Sequence, residues 1–355
     1  MNSMTRMWTV ASIELRQRVR GAAWYVLLGV FVFIVLVVTL FTTIGTWNTE
    51  APGAVLYSVI VYFVLLLGTL VTPALSGNAV NGDRENGTLA TTQVTLVSTT
   101  QLVLGKFVAA WITALAFLAA ALPFLVFALV LGGASVDTAI VSILVLAAEL
   151  GVVAAVGVGV SGLIRRPLFS VVTTYLVVAL LSIGTLIAFG LGGMVAQREV
   201  TVVNESIDWD ASTGDIDPDT GLPENPVCEP YEYTYTVPGF DAVWWTLAAN
   251  PYVLLADAAP THFDRYGNPD DLFGSIKYGV RQAQLPPELG QGWSECEPQY
   301  PVYDQDTARE VLDKTVPSWA VGLGIHVLLG VGLLVGAISR TRAPARKLAA
   351  GSRIA

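Results

Sequence analysis

Residues 21–49 read GAAWYVLLGVFVFIVLVVTLFTTIGTWNT, a run without a single Asp, Glu, Lys or Arg. The hydrocarbon core of a bilayer is about 30 Å thick, so roughly 20 apolar residues of helix cross it. This stretch is long enough. The same absence of charge recurs at 51–82, 107–136, 167–197 and 315–339. A further apolar stretch, 138–164, is broken only by Glu149. The expected fold is therefore an all-α polytopic membrane protein with six transmembrane helices at about 24–47, 53–76, 103–131, 138–164, 168–195 and 317–339.

Composition agrees with that reading. Of 355 residues, 54% are hydrophobic and 13% charged, with a mean hydropathy of +0.61. Soluble domains carry about 25% charge. A soluble enzyme, a coiled coil and a disordered chain are excluded. The net charge of −9 is an average of two unlike parts. Residues 196–314 hold 22 of the 28 acidic and 6 of the 19 basic residues, a balance of −16, which leaves +7 for the rest. Nucleic acid, which needs a basic stripe, is not an expected partner.

Basic residues near span ends set the orientation. Arg6, Arg16, Arg18 and Arg20 precede the first span; Arg84 and Lys106 flank the 2–3 loop; Arg165 and Arg166 lie between spans four and five; Arg340, Arg342, Arg346, Lys347 and Arg353 follow span six. Six crossings put all of them on one side. Both termini are therefore expected in the cytoplasm, with 196–316 outside a cell membrane. The first apolar run exceeds the length of a cleaved signal and no small-residue cleavage site follows it, so it reads as a retained helix. Ahead of it, Met4, Met7, Trp8, Ala11, Leu15 and Val19 recur at three- and four-residue spacings among arginines. That pattern predicts a helix over 1–23 lying in the headgroup plane.

The outer block, 196–316, holds both cysteines, Cys228 and Cys296, and in an oxidising compartment a bridge between them is expected. Thr/Val alternation at 200–203 and the Tyr-rich run 231–237 predict short strands. Asp208, Asp210, Asp215, Asp217 and Asp219 fail the spacing of a calcium loop, and no metal site is expected. Residues 239–260 combine Trp244, Trp245 and Tyr252 with breaks at Asp241, Asn250-Pro251 and Asp257, which predicts a broken helix on or dipping into the outer leaflet.

The loop between spans two and three, 77–102, is the informative one. It contains Glu85-Asn86-Gly87-Thr88-Leu89, a Ser/Thr-rich turn, and Leu104-Gly105-Lys106 opening span three. On these residues the chain resembles the ABC-2 type transporter permeases, whose acidic-x-Gly-Thr-Leu and Leu-Gly-Lys motifs are matched by Glu85, Gly87, Thr88, Leu89, Gly105 and Lys106. The likeness extends to the N-terminal amphipathic helix, the six spans, an extracellular insertion between helices 5 and 6 (as in type V exporters) and the basic tail 340–355. Leu96 and Thr99 stand where the family's Pro and Arg are common. The resemblance implies an exporter's membrane subunit that pairs with a second permease subunit, identical or a sister, and with two copies of an ABC ATPase docked on the 2–3 loop. In that role Glu85 would cap a coupling helix, Gly87 would form a tight turn and Lys106 would anchor span three among the headgroups. The chain lacks a phosphate-binding loop, since Gly105-Lys106 has neither the upstream Gly nor the downstream Ser/Thr, so ATP and magnesium belong to the ATPase partner and no cofactor is expected on this chain.

Two ionisable residues fall inside spans. Glu149 and His326 lie at similar depth, near the membrane middle. They are candidates for a pair lining a translocation path; the alternative is a neutral Glu149 satisfied by its neighbours. Other functions weighed are a sensor or assembly scaffold acting through the outer block, and a lipid-linked transferase, for which the surface loops offer too few clustered acids, histidines or arginines.

Overall fold

The structure is a computed structural model that describes residues 2–48, 51–87, 97–218, 221–286, 294–296 and 307–342. Helix α1 (Ser3–Arg20) precedes α2 (Ala22–Thr46), α3 (Pro52–Ser76) and the short α4 (Ala79–Glu85). Then come α5 (Thr99–Val130), α6 (Val136–Leu163), and α7 (Pro167–Ala179), which continues through a π-helical turn, Leu180–Gly184, into α8 (Thr185–Val195). Strands β1 (Arg198–Ile207), β2 (Thr213–Ile216), β3 (Pro223–Asn225) and β4 (Cys228–Val237) follow. Helices α9 (Pro251–Ala258), α10 (Leu272–Gln282), α11 (Ala308–Lys314) and α12 (Trp319–Thr341) complete the chain. Among the described residues six helical stretches are long and apolar enough to cross a membrane: α2, α3 with α4, α5, α6, α7 with α8, and α12. The chain is thus a mostly helical, multi-pass membrane protein.

Helix starts follow local chemistry. Ser98 opens α5 with a reciprocal capping box, its hydroxyl accepting from the Gln101 N–H while the Gln101 side chain accepts from the Ser98 N–H. Ser135 accepts from the Thr138 N–H to open α6. Pro52 and Pro167 stand at the first helical positions of α3 and α7, where a missing N–H costs nothing.

Helix α6 is the most enclosed span and α7–α8 the least. One face of the bundle is filled by Tyr57, Leu65, Phe117, Leu125, Leu146 and Leu150. The other face of α6 is lined with small residues, because without a hydrophobic driving force helices in lipid gain most from close backbone approach. A side chain at Gly159 would collide with Leu333, and one at Gly162 with Ala337, both on α12.

By internal contacts the chain forms two compact units. The first comprises Met1–Thr185, Leu247–Lys277 and Pro317–Ala355. The second comprises Leu186–Thr246 and Tyr278–Val316. The block 196–316, read from composition as one domain, is therefore divided: Leu247–Lys277 folds with the spans. Segment 239–260 is the broken helix expected, two 3-10 turns followed by α9. Its second half is buried among the spans, since Leu254, Leu255 and Ala256 are all fully buried.

In the second unit β1 and β4 pair antiparallel from Arg198↔Val237 to Ile207↔Cys228, so the Thr/Val alternation and the tyrosine run form one ribbon. β2 and β3 form a second, shorter pair. Cys228 and Cys296 are disulfide-bonded with Cα atoms 6.4 Å apart. The bridge pins the 294–296 segment to the ribbon, where the Glu295 N–H also donates to the Glu205 carbonyl at 3.0 Å.

Candidate functional site

The first cluster gathers around Gly105 and Lys106. Helix α1 has three faces. Met7, Val10, Ala11, Glu14 and Arg18 turn toward protein, while Met4, Trp8 and Val19 are exposed apolar residues on an adjoining face. Arg16 and Arg20 are exposed on the third. This fits a helix in the headgroup plane, with the added feature that one face is packed on α5. Gly105 permits the packing, since a Cβ there would lie 2.8 Å from Val10 Cβ and 2.9 Å from the Met7 carbonyl.

Lys106, expected as an anchor among the headgroups, is enclosed by protein. It is 3% exposed, and its ammonium lies 3.1 Å from Glu14 and 2.9 Å from Asp83. These partners were not foreseen, because they stand 92 and 23 positions away, on α1 and α4, and no local spacing announces them. Burial alone would raise the Glu14 carboxyl, but Lys106 and Arg18 together outweigh it and hold the group below the usual carboxylate range. Arg18 also donates to the Leu75 carbonyl at 3.2 Å and to the Thr113 hydroxyl at 3.2 Å. Leu75 lies in the last turn of α3, where carbonyls lack helical partners, so α1 caps a span as it packs.

Helix α4 is fastened as firmly. The Ser161 hydroxyl accepts from the Val80 and Asn81 N–H groups, and the Asn81 side chain donates to the Ile164 carbonyl at 2.6 Å. Arg84 donates to the Gly162 carbonyl and the Thr341 hydroxyl. Thus α4 bridges the ends of α6 and α12, and through Lys106 it joins α5 and α1. Glu85 is the last residue of α4 rather than the first of a helix, and it is exposed. Gly87 has φ +69°, the left-handed conformation a tight turn needs. Thr88 and Leu89, with the remainder of the expected coupling helix, lie outside the described residues.

The second cluster is inside the bundle. Glu149, halfway along α6, and His326, two turns into α12, are each 1% exposed. The imidazole Nδ1 lies 3.0 and 2.9 Å from the two Glu149 oxygens, and Nε2 lies 2.8 Å from the Ala249 carbonyl. The carbonyl only accepts, so Nε2 carries a hydrogen. Nδ1 then either donates to a carboxylate or accepts from a carboxylic acid. Both arrangements are neutral overall, which is how a buried ionisable pair is tolerated in a membrane.

The residues that sequence reasoning missed belong to the segment delivering that carbonyl. Asn250 caps α9, its side-chain oxygen accepting from Tyr252 and Val253 N–H, while its amide donates to the Ser182 carbonyl at 2.7 Å and the Thr185 hydroxyl at 2.9 Å. Ser182 sits in the π turn, a local widening that disturbs the regular i→i−4 ladder. At the other end of α9, Asp257 accepts from the Ser318 N–H and hydroxyl and the Trp319 N–H at 2.7–3.0 Å. Asp257 is eight residues from Ala249, and Ser318 is eight from His326, so α9 lies alongside the first two turns of α12. Ala249 and Asn250 therefore reach mid-span depth as a re-entrant arm, 247–258. The Asn250-Pro251 step and the Ser182/Thr185 pair in an apolar span were the available signals. No protein-family model matches the chain, and no curated protein matches it either.

Proposed function

We propose that the chain is the membrane subunit of an ATP-driven exporter of the ABC-2 type, set in the cell membrane with both termini cytoplasmic. It works with a second permease subunit and two copies of a separate ABC ATPase, which supplies the nucleotide and magnesium chemistry. The observation that carries the reading is Lys106, buried between Glu14 of α1 and Asp83 of α4. A motor that pushes on the 77–102 loop needs a stiff attachment to the spans, because a slack one absorbs the stroke. Here the entrance to that loop is tied to α1, α5, α6 and α12 at once.

The test is affinity purification of the tagged chain in mild detergent, followed by mass spectrometry of what accompanies it. A stoichiometric ATPase, retained by the wild type and lost on substitution in the 85–98 segment, is expected. Recovery of the chain without an ATPase, under conditions that preserve other membrane complexes, overturns the reading.

A further inference from the structure

We infer that Glu149 and His326 form a membrane-buried proton-binding site whose occupancy decides whether the 247–258 arm stays seated, the arm being the moving gate of the permease proposed above. The geometry ties the two together. The arm's hydrogen bond to the imidazole is made by the Ala249 carbonyl, and it requires hydrogen on Nε2 while Nδ1 faces the carboxyl group. Two hydrogens must therefore be shared among Nε2, Nδ1 and the Glu149 oxygens. Removing one leaves a net negative charge 1% exposed in the bundle, or turns the Nε2 lone pair against the Ala249 lone pairs.

Unseating the arm admits water. A hydrated pair of this kind keeps the second hydrogen only below about pH 6.5, the ordinary histidine value. Above that pH, opening releases one proton to water and reseating takes one back. The seated arm is thus favoured at low pH, and the open fraction rises about tenfold per pH unit above the histidine range.

Glu149 is the sole charged group acting on the His326 ring among the described residues. On the elements packed nearby, Asp257 is bonded to Ser318 and Trp319, and Lys106 is bound to Glu14 and Asp83. Tyr252 bonds Thr69, Tyr57 bonds Ser142, and Tyr62 bonds the Tyr252 carbonyl. The remaining holds on the arm, Asn250 on Ser182 and Thr185, carry no titratable group and supply a pH-independent part of the latch.

The experiment is hydrogen exchange by mass spectrometry on the full chain in lipid nanodiscs, read at 247–258 from pH 6 to 9 and corrected for intrinsic amide chemistry. In the wild type, protection of the arm should be level near pH 6 and fall by about tenfold per unit toward pH 9. Glu149→Gln donates an amide N–H to Nδ1 and cannot release a proton, so its arm should stay protected with no pH dependence. His326→Ala should lower protection at every pH. A flat wild-type profile overturns the inference, and so does a Glu149→Gln profile that still slopes. The wild-type series alone decides if either variant fails to fold. None of these readings needs an ATPase, so loss of the permease reading and loss of the proton site are separate results. Under the permease reading, Glu149→Gln should also make export independent of pH.

Discussion

The Lys106 ammonium lies 3.1 Å from the Glu14 carboxylate and joins the third span to the N-terminal helix α1. Removing a partner from such a buried pair leaves the other charges stranded, which costs far more than the pair itself contributes. Lys106→Met is therefore expected to destabilise the fold by about 3 kcal/mol. Glu14→Gln, which leaves Lys106 with Asp83, is expected to cost less. Thermal unfolding in detergent orders the two, and equal losses would contradict the shared-lysine arrangement.

Gly105 tests the same junction without touching a charge. Alanine at an ordinary helical glycine gains roughly 0.5–1 kcal/mol. Here its methyl would stand 2.8 Å from Val10 Cβ and 2.9 Å from a backbone oxygen. Gly105→Ala is expected to be a net loss of about 1–2 kcal/mol. It should also raise the rate at which protease cuts after Arg16 and Arg20. A more stable Gly105→Ala variant would mean that α1 does not sit against α5.

Acid should release α1. The Glu14 carboxyl is held below its usual range, so its contribution is present above the ordinary carboxylate value of about 4.3 and is lost as pH falls through the lowered one. Hydrogen exchange at 3–20 is expected to accelerate only below about pH 4. In Glu14→Gln that acid step should vanish.

Asp271 behaves in the opposite sense. It is buried ahead of α10 and accepts from the Gly274 N–H at 2.7 Å; burial first, and neighbouring Asp270 second among the raising causes, push its carboxyl up to about 6. A raised carboxyl contributes stability below about pH 4 that disappears as pH climbs through about 6. Asp271→Asn keeps a capping oxygen and carries no charge. It is expected to raise the melting temperature at pH 7.5 by a few degrees and leave it unchanged at pH 4. A drop at both pH values would assign the residue to capping alone.

What was legible in the sequence was whatever repeats locally. Five charge-free runs and one apolar stretch broken only by Glu149 announced the six helices, and helical rise placed Glu149 and His326 at similar depth before any contact was known. The paired strands followed from alternation around Val200 and Tyr233. The ion pairs of Lys106 were not legible, because a lysine at the mouth of a span gives no sign of Glu14 and Asp83, 92 and 23 positions away. Residues 239–260 were read as a broken helix on or dipping into the outer leaflet, and the structure shows the break and buries the second half among the spans. Their burial depends on partners such as Ser182 and Ser318, which lie 68 and 61 positions from Asn250 and Asp257. Thr88 and Leu89, central to the family resemblance, lie outside the described residues.

The two ends of the arm also impose an order on biogenesis. Asn250 and Asp257 leave the ribosome after the fifth span and before the sixth, yet His326, Ser318 and the Trp319 N–H all come later in the chain. During synthesis the arm must wait, its polar groups hydrated, until α12 has been inserted beside α6. A nascent chain halted before residue 317 would hold the arm only through Asn250 and Tyr252, with the Ala249 carbonyl and the Asp257 carboxylate still lacking the partners that α12 brings. Quality control that recognises exposed membrane polar groups would find its substrate there, and completion of the last span would be the event that hides it.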